Sequence, residues 1–526
     1  MGFRHVLGLV LLAVPALAQP SINNTGPSAS GEWTVYPGSY NSQRHSPLKQ
    51  VTPANAHLLQ VKWVYHVSNS RELEMTPVVK DGIMYIAQYN RVDAIDARTG
   101  NVIWRYERPP ASTAAYRGTS VYDNKVFLAT TDAHLVALDA RSGGVVWDVP
   151  VNAGRRLSGM SPYIAKDKLI VGVLDQPDGY IQAYDPKTGK HLWTWHAIPR
   201  PDDPEYKTWS GNTKEGGGAI WSSGSFDPEQ NVIIWGTGQP NPPYSNEVRE
   251  GDNLYSDSIV AIDVDTGKRK WHFQTTPHDQ HDWDAASGNK VLFDAVYQGK
   301  PRKLLGQADR NGFFYLLDRT NGKFLRGEAF IDDMNWATGL SPEGRPILTG
   351  DGAKPSLKGT LTCPSTAGAT NWPSATYSPV TGWLYFHAVE GCGLNFRSSS
   401  TPGAGTSYIE SPDEKTRWVS HIRAIDPLTG KRMLDIPEVG SNHYGPGMLS
   451  TASGLLFTPE QFGNVTMRDA RSGKALWHLN TGDFITASPI TYMLDGKQYF
   501  AIASGTNIFS FGLPDSAPTV AKGGAK

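Results

Sequence analysis

Between Trp271 and Val291 the chain reads His278-Asp-Gln-His-Asp-Trp-Asp284, its densest run of carboxylates and imidazoles. Carboxylates crowded this way can take a proton from a substrate or surround a hard cation with oxygen. The same residue types also build ordinary solvated turns, so a polar loop is the competing reading. The other reactive groups are the two cysteines, Cys363 and Cys392. An even pair suits one disulfide in an oxidising compartment, with a metal or redox pair as the alternative. Two cysteines 29 residues apart carry no ligand signature. No Cys-x-x-Cys-His occurs, so the sequence offers no attachment point for a c-type haem.

Groups this scattered need a frame, and the chain repeats one. The phrase Ala94-Ile-Asp-Ala-Arg-Thr-Gly100 leading to Trp104 returns from Ala137 to Trp147, Ala183 to Trp193, Ala261 to Trp271 and Met467 to Trp477. Weaker copies, from Leu317 to Arg326 and from Ala424 to Leu434, lack the Trp. Each copy reads as an apolar strand ending at Asp, a tight turn containing Gly, and a second strand. Asp96 and Asp139 are 43 residues apart, as are Asp426 and Asp469, the length of one four-stranded propeller blade. Longer steps, 78 residues from Asp185 to Asp263 and 108 from Asp318 to Asp426, require insertions. An eighth copy is split, with Ile508–Phe511 as its first strand and Val61–Trp63 as its second. The expectation is an all-β, eight-bladed β-propeller with Trp-bearing blade motifs, its ring closed by pairing the N- and C-terminal strands. A Trp repeated from blade to blade reads as packing between sheets, so function must come from the insertions.

The ends and composition set further bounds. A basic start, an apolar run from Val6 to Leu17 and Ala16-Leu17-Ala18 describe a secretory signal over residues 1–18, with a membrane anchor as the alternative. No later run approaches the length of a membrane span, and no Cys follows the signal to carry a lipid. Residues 19–514 would form the propeller, and 515–526, rich in Ala, Gly, Pro and Lys, an unstructured tail. With 49 Lys and Arg against 50 Asp and Glu, and no basic run, the chain does not read as a nucleic-acid binder. Its 54 Gly, 37 Pro and 16 Trp suit many short strands and turns.

The irregular segments carry a resemblance. Gly31-Glu-Trp-x-x-Tyr36, Ser46-Pro-Leu48, Glu74-x-Thr-Pro77, Gly216-Gly-Gly218 with Trp221, and Gly251-Asp-Asn253 resemble the quinoprotein alcohol dehydrogenases. So do Gln274-Thr-Thr-Pro-His-Asp279, Asp309-Arg-Asn-Gly312, Asn371-Trp372 and Asp495-Gly-Lys-Gln-Tyr499, in the family's order along nearly the whole mature chain. The resemblance implies pyrroloquinoline quinone and a metal ion as cofactors, and an alcohol as substrate. Such chemistry needs a base for the hydroxyl proton, a hydride acceptor and an electrophile on the quinone oxygen.

By that resemblance Asp282 is the catalytic base, and Asp284 takes the place of the extra carboxylate found in lanthanide-using members. His278 and His281 would be supporting or packing residues. Asp175 stands in for the family's Glu ligand, and Gln239, in Gly236-Thr-Gly-Gln-Pro240, for its Asn. The set Asp175, Gln239, Asp282 and Asp284 is all-oxygen, which suits calcium or a lanthanide rather than zinc. Trp221 matches the flat floor under the quinone. Arg117 matches the partner of a cofactor carboxylate, and Glu74, Arg310 and Asn371 match further polar contacts. The family's ceiling of adjacent cysteines is replaced by Ala111 and Ser112, while Cys363 and Cys392 resemble its structural disulfide in the sixth blade. The implied enzyme is periplasmic, passing electrons to a separate cytochrome c. A non-catalytic propeller scaffold, or a polyol, sugar or polymer dehydrogenase of the same family, are the other readings.

Overall fold

The computed structural model describes residues 31–109, 116–151, 160–173, 178–210, 212–214, 216–245, 247–398, 405–408, 418–439 and 445–515. The signal-like segment 1–18 and the tail from 516 onward lie outside them. Among the described residues strands dominate, with 3-10 turns at Ala56–Leu58 and Pro204–Trp209. No described helix is long and apolar enough to cross a membrane.

The first sheet is an antiparallel meander of Val78–Lys80, Ile83–Gln88, Arg91–Asp96 and Val102–Glu107. The same four-strand order recurs across residues 120–150, 163–196, 225–274, 291–329 and 376–437. A seventh sheet, 449–480, adds His45–Ser46 as a parallel strand. In the eighth, Gln60–His66 pairs antiparallel with the C-terminal strand Asn507–Gly512, placing Val61 opposite Phe511 and Trp63 opposite Ser510. Two small sheets decorate the stretch around the sixth. They are Ala337–Leu340 with Pro346–Leu348, and Thr360–Thr362, Gly393–Arg397 and Gly405–Tyr408. Cys363 and Cys392 are bonded across the second of these.

The repeated Asp and Gly act through local chemistry. Asp139 Oδ1 accepts the backbone N–H groups of Arg141 and Ser142, which closes the turn, and Gly143 follows at φ +73°. The Trp acts between sheets. Trp104 Nε1 donates to Ala140 O of the next sheet at 3.0 Å, and a Cβ added to Gly143 would come within 2.6 Å of the Trp104 ring. Trp63 to Ala97, Trp147 to Pro186 and Trp193 to Val264 repeat that bond. The Trp of one sheet and the Asp-Gly turn of the next are therefore a matched pair.

A segment near the N-terminus ties the inner strands together. Gly31 O accepts from Met493 N, Trp33 pairs with Val79, and Thr34 O accepts from Val121 N. Tyr40, Asn41, Gln43 and Arg44 then accept, in turn, from Phe226, Leu292, Tyr377 and Ser450. Arg44 is fully buried, its guanidinium donating to the carbonyls of Tyr36, Met448 and Pro489 and lying 5.1 Å from the Trp33 ring. The Asp-Gly turns occupy one end of the sheets. The opposite end carries the connections between sheets and the long insertions within the fourth and sixth sheets.

Candidate active site

The end with the long connections gathers the predicted site residues from five sheets. Asp282 and Asp284 lie between Arg269–Gln274 and Val291–Tyr297. Glu74 and Arg117 precede the inner strands of the first two sheets, Trp221 and Asn371 those of the fourth and sixth, and Arg310 joins Lys300–Ala308 to Phe313–Asp318 in the fifth.

The loop carrying Asp282 is held from both sides. Asp279, fully buried, accepts the backbone N–H groups of His281 and Trp283, each at 3.0 Å, and Arg249 donates to the Asp279 carbonyl. At the far end Lys290 Nζ donates to the carbonyls of Ala285, Ala286 and Gly288. His281 stacks on Trp283 with ring centroids 4.2 Å apart, and Trp283 Nε1 donates to Ser365 O. His281 is thus a packing residue, and His278 contacts Gly251 O at 2.6 Å. Within this frame Asp282 adopts φ +67°, a left-handed conformation that Asp tolerates better than most residues.

Arg310 sits between the two carboxylates. Its Nη1 donates to Asp284 Oδ2 at 3.0 Å and its Nη2 lies 3.8 Å from Asp282 Oδ2. Asp284 also accepts Trp221 Nε1 at 3.1 Å and Gln239 N at 2.5 Å. Asp282 keeps 28% of its side-chain surface open, against 7% for Asp284. Burial raises both carboxyls above the usual range; Arg310 opposes it, and the neighbouring Asp groups add to it. Asp257 lies nearby with both carboxylate oxygens buried and without a hydrogen-bond partner, raised by burial and by Asp279, Asp284 and Asp309.

Arg117 lies between two indoles, its guanidinium 5.0 Å from the Trp221 ring and 4.4 Å from that of Trp372. Glu74 Oε2 is 3.7 Å from Arg117 Nη2, and both Glu74 Oε2 and Thr76 Oγ1 are buried without a hydrogen-bond partner. A narrow cleft is lined by Arg117, Trp372, Tyr36, Ser222, Ser287 and Asn289 among others. Flat indole walls, a guanidinium and orphaned buried oxygens fit a planar polycarboxylate. Asp282 and Asp284 are oxygen ligands of the kind a hard cation takes, with Arg310 as the cation between them; among the described residues no group of three or more His, Cys, Asp or Glu side chains is gathered to hold a metal ion.

The structure distributes the expected residues unevenly. Asp282, Asp284, Trp221, Gln239 and Arg310 come together, as do Glu74 and Arg117. Gln239 meets Asp284 through its backbone N–H. Asn371 turns its amide inward, donating to Ala367 O and accepting Trp372 N, so its neighbour Trp372 lines the cleft instead. Asp175, Ala111 and Ser112 lie outside the described residues. Two residues went unread in the sequence. Asp279 carried a signal, being the first carboxylate of the acidic cluster. Tyr244 carried none: its hydroxyl lies 2.8 Å from Thr366 Oγ1 and 3.1 Å from Ser407 Oγ, close enough to Asp282 to pull that carboxyl down against its burial.

The chain matches the glucose/ethanol/alcohol dehydrogenase β-propeller domain family of PQQ proteins over residues 33–327. It is 36% identical to the quinoprotein alcohol dehydrogenase PedH of Pseudomonas putida, over 88% of this chain and 84% of that protein. Among solved structures it resembles the quinohemoprotein alcohol dehydrogenase from Comamonas testosteroni, with a TM-score of 0.85 and 32% identity over 94% of this chain and 82% of that one. It also resembles a europium-containing methanol dehydrogenase, with a TM-score of 0.83 and 27% identity over 92% of this chain and 98% of that one. Joined to an all-β fold and a carboxylate–arginine site beside paired indoles, these matches show that the chain belongs to the quinoprotein (PQQ-dependent) alcohol dehydrogenase family and is an enzyme.

Proposed function

We propose that the protein is an exported, periplasmic dehydrogenase that oxidises an alcohol with pyrroloquinoline quinone and calcium or a lanthanide. Its eight sheets would be the blades of one ring, with Gln60–His66 and Asn507–Gly512 sharing the blade that closes it. The observation that carries the reading is Asp282, held partly open beside Arg310, which also bonds Asp284, itself bonded to Trp221.

Arg117, Glu74 and Thr76 would hold the polar edge of the cofactor, with Trp221 and Trp372 as flat walls. Asp282 and Asp284, with Gln239 and Asp175, would hold the ion. When bound, the quinone supplies a hydride-accepting carbon and the ion an electrophile beside its oxygen. Asp282 takes the hydroxyl proton of the alcohol as general base. Arg310 keeps that carboxylate aimed, and the Asp279 clamp holds its backbone. The alcohol gives up two electrons and two protons, and a separate cytochrome c is the electron acceptor.

Reconstitution tests this. Purified protein is mixed with the quinone and either calcium or lanthanum, and alcohol-dependent reduction of a small dye is followed. Asp282→Asn is expected to lower turnover by about 10³-fold while the quinone stays bound. A wild type that binds no quinone and stays silent with each metal returns the protein to the scaffold reading.

A further inference from the structure

The electrons must leave the molecule, and one surface feature stands at the same end of the sheets as the site. Phe462, between Leu455–Pro459 and Asn464–Asp469, and Phe484, before Ile490–Leu494, occupy the same end of the sheets as the site. They are 48% and 47% exposed, with ring centroids 5.6 Å apart. The other exposed apolar side chains of the described residues are aliphatic, several of them recurring along outer strands, as Val61, Val102 and Val145 do. The aromatic pair belongs to no repeat: Asp132 occupies the place of Phe462 in the second sheet. Exposed rings set among polar residues mark a contact surface.

Two further observations say what covers it. The first is connection to the cleft. Gly505 N donates to Phe484 O, and Leu73 N donates to Gly505 O. Two residues after Glu72, Glu74 meets Arg117 between the indoles. One loop thus borders both the patch and the cofactor cleft. The second is charge. Exposed Asp483 immediately precedes Phe484, and exposed Glu72 lies near it, its carboxyl raised by burial and by Glu74 and Asp483. Glu460 adds a third carboxylate, paired with Arg468 at 3.5 Å, and Arg71 is the exposed basic residue on the loop. An apolar centre with an acidic rim complements a partner that has an apolar edge ringed by lysines.

We propose that Phe462 and Phe484, rimmed by Glu72 and Asp483, form the docking surface for the soluble one-electron carrier that reoxidises the enzyme. That carrier is a small haem protein with a basic face. This rests on the dehydrogenase reading above. Each alcohol oxidised to its aldehyde releases two electrons and two protons. Two carrier molecules dock in succession, each going from ferric to ferrous, and the protons pass to water.

The test compares two acceptors on the reconstituted enzyme: a small dye, and mitochondrial cytochrome c as the basic haem protein. In Phe462→Ser/Phe484→Ser, and separately in Glu72→Lys/Asp483→Lys, the KM for the cytochrome is expected to rise about tenfold or more. Rates with the dye should stay within about twofold, and cytochrome kinetics of the wild type should weaken from about 50 to 300 mM salt. Unchanged cytochrome kinetics in both double variants overturns the proposal. So does equal loss with both acceptors, or a wild type active with dye and silent with cytochrome. A dimer that the serine variant dissociates, seen by light scattering, would assign the patch to a second copy of the chain. A wild type silent with the dye is a failure of the dehydrogenase reading itself.

Discussion

Asp279 touches no reacting atom in the proposed chemistry, yet it decides where Asp282 stands. Replacing it by Ala leaves two buried backbone N–H groups without their acceptor. The expected cost is about 2–4 kcal/mol in urea unfolding, with a fall in kcat that Asp279→Asn partly rescues because one acceptor oxygen remains. A second residue-scale expectation concerns pH. Burial lowers His45 to about 4, and burial with Arg269 lowers His272 to about 4. The unfolded chain binds these protons first as pH falls, so the neutral folded rings contribute stability above the ordinary histidine value. That contribution is lost between about pH 6.5 and 4. Denaturation midpoints across this window should slope less steeply in His45→Gln/His272→Gln than in the wild type.

At the scale of elements, the matched Trp and Asp-Gly turn holds neighbouring sheets together. Trp104→Ala removes a buried indole and its bond to Ala140 O, and is expected to cost about 3–5 kcal/mol by thermal or urea unfolding. This element was legible in the sequence because both halves of the pair repeat. The insertion near the sixth sheet was legible only as extra length, the 108-residue step from Asp318 to Asp426, and not in its internal structure, since it occurs once and has no internal copy to compare. Its disulfide nevertheless fixes the segment bearing Thr366, whose carbonyl accepts from Arg310 and whose hydroxyl donates to the carbonyl of His281. Cys363→Ser/Cys392→Ser is expected to lose about 3 kcal/mol and to weaken quinone binding measured by fluorescence quenching. Retention of both would assign the bridge to the insertion alone.

For the whole molecule, the site is a meeting point of five sheets, so ligand binding and the stability of the fold are linked. Quinone and metal at about a hundred times their dissociation constants should stabilise the fold by about 2.7 kcal/mol, read as a rise in Tm that a chelator reverses. A metal effect that persists in Asp282→Asn/Asp284→Asn would place the ion elsewhere.

The sequence by itself determined the repeat, the pairing of the terminal strands and the identity of the acidic loop. Each rests on local chemistry or on a phrase that recurs, and such signals survive without knowledge of neighbours. Tertiary structure alone decided that Trp372 rather than the Asn371 amide faces the cleft. It also decided that Gln239 serves Asp284 through its backbone, and that Tyr244 stands beside Asp282. Those outcomes depend on which way a side chain turns once distant sheets close around it, and no spacing along the chain records that direction.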